Sequence, residues 1–228
     1  MKPRLPALAL SVAFVLAGCG ASQPTRFYSL TPLASATPAI APEGAGLAIG
    51  LGPVEFPKAL DRPQIITRAG ANELKLSEFD RWAEPVEDNA VQVLQENLAL
   101  LLPGYKFLAY PWNRSTEIDC QAVVRVLRFD RSEGGDAVLK ARWTIQSPAS
   151  ESELLNRESS YPRHPTGADA QATVEAMNRA LEDFSRDLAK ALAGTCGSRI
   201  GSCWAGRGLP SVDLAPDRRV TLSLTRPT

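Results

Sequence analysis

The sequence predicts an α+β fold: a single domain with a mostly antiparallel sheet packed by two main helices, at about 86–102 and 167–193. Three observations lead there. Each helical stretch repeats large apolar residues at helical spacing and ends on a breaker, Pro103-Gly104 in the first and Gly194 in the second. Between them, Leu139, Ala141, Trp143 and Ile145 alternate with Lys140, Arg142, Thr144 and Gln146, the pattern of a strand with one buried and one wet face. Strand runs are joined by turn-rich tips at 69–72 and 132–136, which gives hairpins and a meander.

The chain opens on a basic segment, Met1-Lys2-Pro3-Arg4, followed by an apolar run from Leu5 to Ala17 broken only by Pro6 and Ser11. As a helix that run reaches about 20 Å, short of the roughly 30 Å hydrocarbon core, so it reads as a secretory leader and not a permanent span. At its end, Leu16-Ala17-Gly18-Cys19 resembles the lipobox of bacterial lipoprotein signal peptides, whose cysteine is lipidated and whose leader is cut just before it. The expectation is that residues 1–18 are removed and Cys19 carries the lipid; the alternative is a secreted protein with Cys19 in a disulfide. Gly20, where an aspartate would stand in retained lipoproteins, implies the outer membrane. Loss of Lys2 and Arg4 moves the formal charge from zero to about −2. The basic stripe of a nucleic-acid binder is missing, and nucleic acid is not an expected partner.

Residues 19–45 read as the lipidated cysteine, a Pro/Ala/Ser/Thr-rich tether and a short edge strand at Phe27-Tyr28-Ser29-Leu30, and residues 46–194 as the folded domain. Leu47, Ile49 and Leu51 alternate as a strand; Gly50-Leu51-Gly52 lacks a third glycine and a following helix, so it marks a bulge and not a phosphate loop. Two short strands flank Ala69-Gly70-Ala71-Asn72, and Trp82 reads as a core anchor. In the first helix Pro85 suits the first turn, Glu87 and Asp88 the positive end, and Val91, Leu94, Leu98 and Leu101 the apolar face. "YKFLAYPW" gives a further strand closed by Pro111. Val123, Leu127 and Phe129 mark the first strand of the meander, and a third runs from about Glu153 to Tyr161. Thr166 with Asp169 resembles a capping box for the last helix. Its stripe of Met177, Leu181, Phe184, Leu188 and Leu192 packs on the sheet. Residues 195–228 form a Gly/Pro/Arg-rich tail with one strand-like patch at Val220–Leu224.

The residues offer no sign of catalysis. His164, the one histidine, sits in a loop beside Pro165 and is expected to be exposed. No serine lies in a Gly-x-Ser-x-Gly elbow, and the cysteines after Cys19 lack CxxC spacing and cannot form a zinc set with one histidine. Glu84, Glu87 and Asp88 are accounted for by the helix dipole. No metal and no cofactor beyond the lipid on Cys19 is expected. Of the remaining cysteines, a Cys120–Cys196 bond would close a large loop, worth about 4–5 kcal/mol in the chain-entropy treatment. It is favoured over the short loop between Cys196 and Cys203, but spacing alone leaves the connectivity open.

Several words in order carry a family resemblance: the lipobox at Cys19, "FYSL" at 27–30, "DRPQIITR" at 61–68 and Arg81-Trp82-Ala83-Glu84-Pro85. "VQVLQENLALLLPG", "YPW" at 110–112, "RFD" at 128–130, "ARW" at 141–143 and "AMNRALEDFSRDLAKAL" continue the series. Together they resemble the PqiC/YmbA family, auxiliary lipoproteins of intermembrane transport systems built around MCE-domain (mammalian cell entry) proteins. The resemblance implies a non-catalytic, outer-membrane-anchored protein facing the periplasm, with palmitate-type acyl chains on Cys19. It further implies docking on a PqiB-like MCE protein that carries lipids or other hydrophobic molecules, in support of envelope integrity. A homo-oligomer is compatible with it. Arg81 to Pro85 are the family's strongest word and carry a structural role, and the tail beyond Gly194 inherits nothing. The alternative from a different class is a carrier or assembly chaperone that holds lipid or lipopolysaccharide in an apolar groove between helix and sheet.

Overall fold

The computed structural model describes residues 23–35, 46–113 and 115–197. The leader, Cys19, and the tail beyond Gly197 with Cys203 and the Val220–Leu224 patch lie outside the described residues. The elements follow as β1 (Arg26–Tyr28), β2 (Ala48–Glu55), β3 (Gln64–Arg68), β4 (Leu74–Trp82), α1 (Val86–Leu101), β5 (Lys106–Ala109), β6 (Cys120–Ser132), β7 (Ala137–Ser147), β8 (Ser152–Arg163) and α2 (Ala170–Leu192). They form one α+β unit, as the sequence predicts.

The sheet is mixed and branches at β6. Along one side of β6 lies β7, antiparallel, followed by β8, also antiparallel. The other side is divided: β2 runs parallel to its first half and β3 parallel to its last two residues. Outward from β2 comes β5, parallel, and outward from β3 come β4, antiparallel, and then β1, parallel. The antiparallel character thus resides in the long ladders, and the short pairings that close the branches are parallel. The edge strand starts one residue before the expected Phe27 and ends at Tyr28; Leu30 leaves the sheet and is buried under the helices.

Both helices cover one face. In α2, Met177, Leu181, Phe184, Leu188 and Leu192 are all buried, and in β7, Leu139, Ala141, Trp143 and Ile145 are buried beneath them. The caps depart from expectation. α2 begins at Ala170 because Asp169 is itself the N-cap, its Oδ1 accepting from the Ala172 N–H at 2.8 Å; Thr166 has no part in a capping box. Pro85 is the N-cap residue of α1 and not its first turn. On α1, Val91 is only half-buried, and Val86, Ala90 and Val93 complete the inward face with Leu94, Leu98 and Leu101. On β6 the buried apolar residues are Cys120, Ala122, Val124, Val126 and Phe129, so of the three that mark the strand in the sequence only Phe129 is buried. The cause is a bulge between Val126 and Arg128, which shifts the register and so breaks a strict period of two. A second bulge between Leu51 and Val54 holds Gly52 at φ 120°. Neighbouring Gly50 lies so close to Trp112 that an added Cβ would stand 2.8 Å from its ring, consistent with the structural reading of these glycines.

Three asparagines fasten the segment after β1 to the helices. The Leu30 N–H donates to Asn89 Oδ1 at 2.6 Å and the Leu33 N–H to Asn97 Oδ1 at 2.8 Å. Asn178 exchanges two longer bonds with Thr31. Asn97 also donates to Ser185 Oγ at 3.0 Å, which ties α1 to α2 inside the core. Asn97→Leu is expected to strand the buried Leu33 N–H and cost about 1–3 kcal/mol. A urea midpoint equal to that of the wild type would overturn that assignment.

Candidate functional site

The long β6–β7–β8 ladder gives the body two ends. Thirteen residues of β6 span about 40 Å at ~3.3 Å per residue. At one end stand the β3–β4 tip, the β6–β7 turn and the start of α2. Lys75 on the tip pairs with Glu133 on the turn at 2.7 Å, and Arg131 donates to the Gly167 carbonyl and to Thr173 Oγ1, both at 3.0 Å. At the other end stand the β7–β8 turn and the Cys120–Cys196 disulfide. Both half-cystines are buried, and Cys196 sits in a π-helical turn, Ala193–Gly197, so the folded body runs three residues past the expected boundary at 194.

The first end holds an open groove of about 470 Å³, whose wall carries Arg26, Lys75, Asp80, Glu133 and Asp169. Its charges are spoken for within the fold. Asp80 accepts from Arg26 Nε at 2.8 Å, Ser77 Oγ at 2.9 Å and Tyr28 OH at 3.2 Å. Burial pushes its carboxyl up, but hydrogen bonds from Arg26, Ser77 and Tyr28 outweigh burial and hold it below the usual carboxylate range. The sign follows. A carboxyl depressed in the fold adds stability above its unfolded pKa of about 3.9 and loses it as pH falls through the folded value. Asp80→Asn is therefore expected to be less stable than wild type at pH 7 and to converge on it at strongly acid pH, read from urea midpoints across pH. A gap that persists unchanged into acid would contradict this.

A second groove of about 510 Å³ runs between α1 and β2–β5, lined by Leu51, Val54, Val91 and Tyr110 with Glu55, Glu87 and Asp88 at one lip. Burial, then the nearby Asp88, Asp61 and Glu55, raises the Glu87 carboxyl. In the seam between helices and sheet, the gap bounded by Ile65, Trp82, Phe129 and Met177 measures only about 10 Å³.

Arg81 to Pro85 join β1 and β4 to α1. The Trp82 N–H donates to the Pro63 carbonyl at 2.6 Å and the Ala83 N–H to the Tyr28 carbonyl at 2.8 Å. Trp82 is buried, whereas Ala83, Glu84 and Pro85 are exposed. Arg81 Nε is buried with no hydrogen-bond partner among the described residues. His164 is exposed beside Asp136, its Nδ1 at 3.0 Å from the carboxylate. Among the described residues no cluster of His, Cys, Asp and Glu is arranged to hold a metal, and no helix is long and apolar enough to cross a membrane.

The model of the ABC-type transport auxiliary lipoprotein components matches residues 28–189, from β1 to the last turn of α2. The chain belongs to that family. This agrees with the resemblance carried by the sequence words above, and it places Cys120 inside the matched region and Cys196 beyond it. Comparison with curated proteins finds no relative. A Xanthomonas campestris protein of the DUF330 family is similar in structure, with TM-score 0.63 and 17% identity over 78% of this chain and 99% of that one. A further solved structure, of an uncharacterized protein, has TM-score 0.62 and 15% identity over 75% of this chain and 99% of that one. At such identities they show a shared fold.

In this auxiliary lipoprotein the buried asparagines are structural residues that helix periodicity alone does not reveal. A signal was present: Asn89 and Asn97 stand eight residues apart within an otherwise apolar helix face, where asparagine is a poor helix former.

Proposed function

We propose that the protein is held by lipid on Cys19 to the inner leaflet of the outer membrane, faces the periplasm, and serves as a non-catalytic docking component of an MCE-type transport system. The observation that carries this reading is the family match over residues 28–189, directly downstream of the lipobox cysteine. Its partner is a PqiB-like MCE-domain protein, which moves lipids or other hydrophobic molecules between the membranes. Anchoring confines the body to a thin layer, and the raised effective concentration lets a modest docking affinity suffice. Two observations support docking over lipid carriage: the gap at Ile65, Trp82, Phe129 and Met177 is too small for a lipid chain, and the open groove between α1 and β2–β5 is rimmed by Glu55, Glu87 and Asp88 instead of being enclosed by apolar walls.

Crosslinking in intact envelopes, followed by identification of what is captured, tests the reading. An MCE-domain protein is the expected product. Recovery of cell-wall enzymes alone would overturn the docking role.

A further inference from the structure

We propose that the face of the β1–β4–β3 edge that carries Phe27, Leu74 and Leu76 lies along the bilayer, with Leu74 and Leu76 near the β3–β4 tip and Phe27 farther along β4 entering the lipid interface, and the disulfide end held away from it. The inference rests on the reading of Cys19 as the lipidated residue.

Chain length and direction carry the first half. From Cys19 to Arg26 are seven residues, at most about 25 Å when fully extended. That is shorter than the roughly 40 Å between the two ends of β6. β1 pairs in parallel with β4, Arg26 beside Asp80 and Tyr28 beside Trp82. The chain before Arg26 therefore points back along β4 toward Leu74, at the β3–β4 tip. A sulfur fixed in the leaflet draws that end, and not the disulfide end, against the headgroups.

The surface found there carries the second half. Phe27, Leu76 and Leu74 are 66%, 46% and 37% exposed, three of the five large apolar side chains exposed among the described residues. Pairing with β3 sets them on one face across a bulge in β4: Leu74 pairs with Arg68 and Leu76 with Ile66 near the tip, and beyond the bulge Phe27 stands beside Arg81, which pairs with Gln64. Gln64, Ile66 and Arg68 alternate onto the same face of β3. Most nearby cations add little attraction for anionic lipid, since Arg26 pairs with Asp80, Lys75 with Glu133 and Arg68 with Asp130, and Arg81 beside Phe27 is the exception. The contact is apolar, and its strength is expected to vary little with salt or with the fraction of anionic lipid.

The test uses the full lipidated chain in vesicles of phosphatidylethanolamine and phosphatidylglycerol, on a Cys203→Ser background. An environment-sensitive fluorophore is placed at Phe27→Cys, at Leu76→Cys, or at Ser150→Cys in the far β7–β8 turn. Labels at 27 and 76 are expected to shift to the blue and to be quenched by spin-labelled lipid, and the label at 150 to do neither. Hydrogen exchange of the unlabelled wild type, slowed at 26–28 and 74–76 by vesicles, gives the same answer if a labelled variant folds poorly. Water-exposed labels at 27 and 76 in a protein whose Cys19 peptide carries lipid would overturn the mounting and leave the anchor reading intact. An unmodified Cys19 and a protein in the aqueous fraction would sink both. Burial of the labels without vesicles, growing with protein concentration, would reassign the face to contact between copies.

Discussion

Phe184→Ala is expected to lower stability by about 3–5 kcal/mol, a large share of the 5–15 kcal/mol that holds a typical domain folded. Phe184 is 1% exposed, at the centre of the α2 stripe, and packs edge-on to Trp143 with ring centroids 6.3 Å apart. Tyr161 lies against its other side at 5.8 Å. These neighbours cannot close over a vacancy. Tyr161 donates to Asp187 Oδ2 at 2.9 Å, and Trp143 is covered on β8 by Arg157, 5.8 Å from its ring. Held in place, they leave the cavity term of the substitution unrelieved. The urea midpoint should fall with the slope unchanged, because the surface exposed on unfolding is nearly the same. Phe184→Leu fills most of the volume and should recover much of the loss. An alanine variant with a wild-type midpoint would mean that α2 does not pack on the β7–β8 ladder.

Where a single period governs a segment, the sequence already contains the structure. The α2 stripe and the inward side of β7 are in this class: all five apolar positions of the stripe are buried, and so are Leu139, Ala141, Trp143 and Ile145. Legibility fails where tertiary geometry intervenes. Within β6 the bulge after Val126 moves the apolar pattern out of step, and no local residue announces it. Parallel pairing of β2 with β6 and of β3 with the end of β6 joins segments far apart in the chain, so turn chemistry says nothing about it. The asparagines show a different gap. Their helix positions are visible, but their purpose depends on the backbone of Leu30 and Leu33, some sixty residues earlier. For the candidate site, Arg81 to Pro85 read from the sequence as core and helix-start residues, and their hydrogen bonds to the Pro63 and Tyr28 carbonyls, which depend on segments far away in the chain, were not legible there. The exposed apolar face of the β1–β4–β3 edge was not legible either, because it arises from register across three strands.

Removing the disulfide as Cys120→Ala with Cys196→Ala is expected to cost about 2–5 kcal/mol and to lower the melting temperature accordingly. The bond joins residues 76 apart and pins the turn after α2 to the first residue of β6, itself paired with Ile49 of β2. Without it the unfolded chain regains the freedom of that whole loop, and the last turn of α2 loses its only covalent tie to the sheet among the described residues. Alanine is the suitable replacement, since a serine hydroxyl at either buried position would add a desolvation penalty of its own. The double variant keeps Cys203 from offering an alternative bond to a freed partner. Reducing agent should lower the wild-type melting temperature toward that of the double variant and leave the variant unmoved, while Cys203→Ala should match wild type in oxidising buffer. Non-reducing peptide maps provide the independent check: a Cys196–Cys203 peptide in place of Cys120–Cys196 would assign the stabilisation to a short tail loop, and the large shift would then not appear.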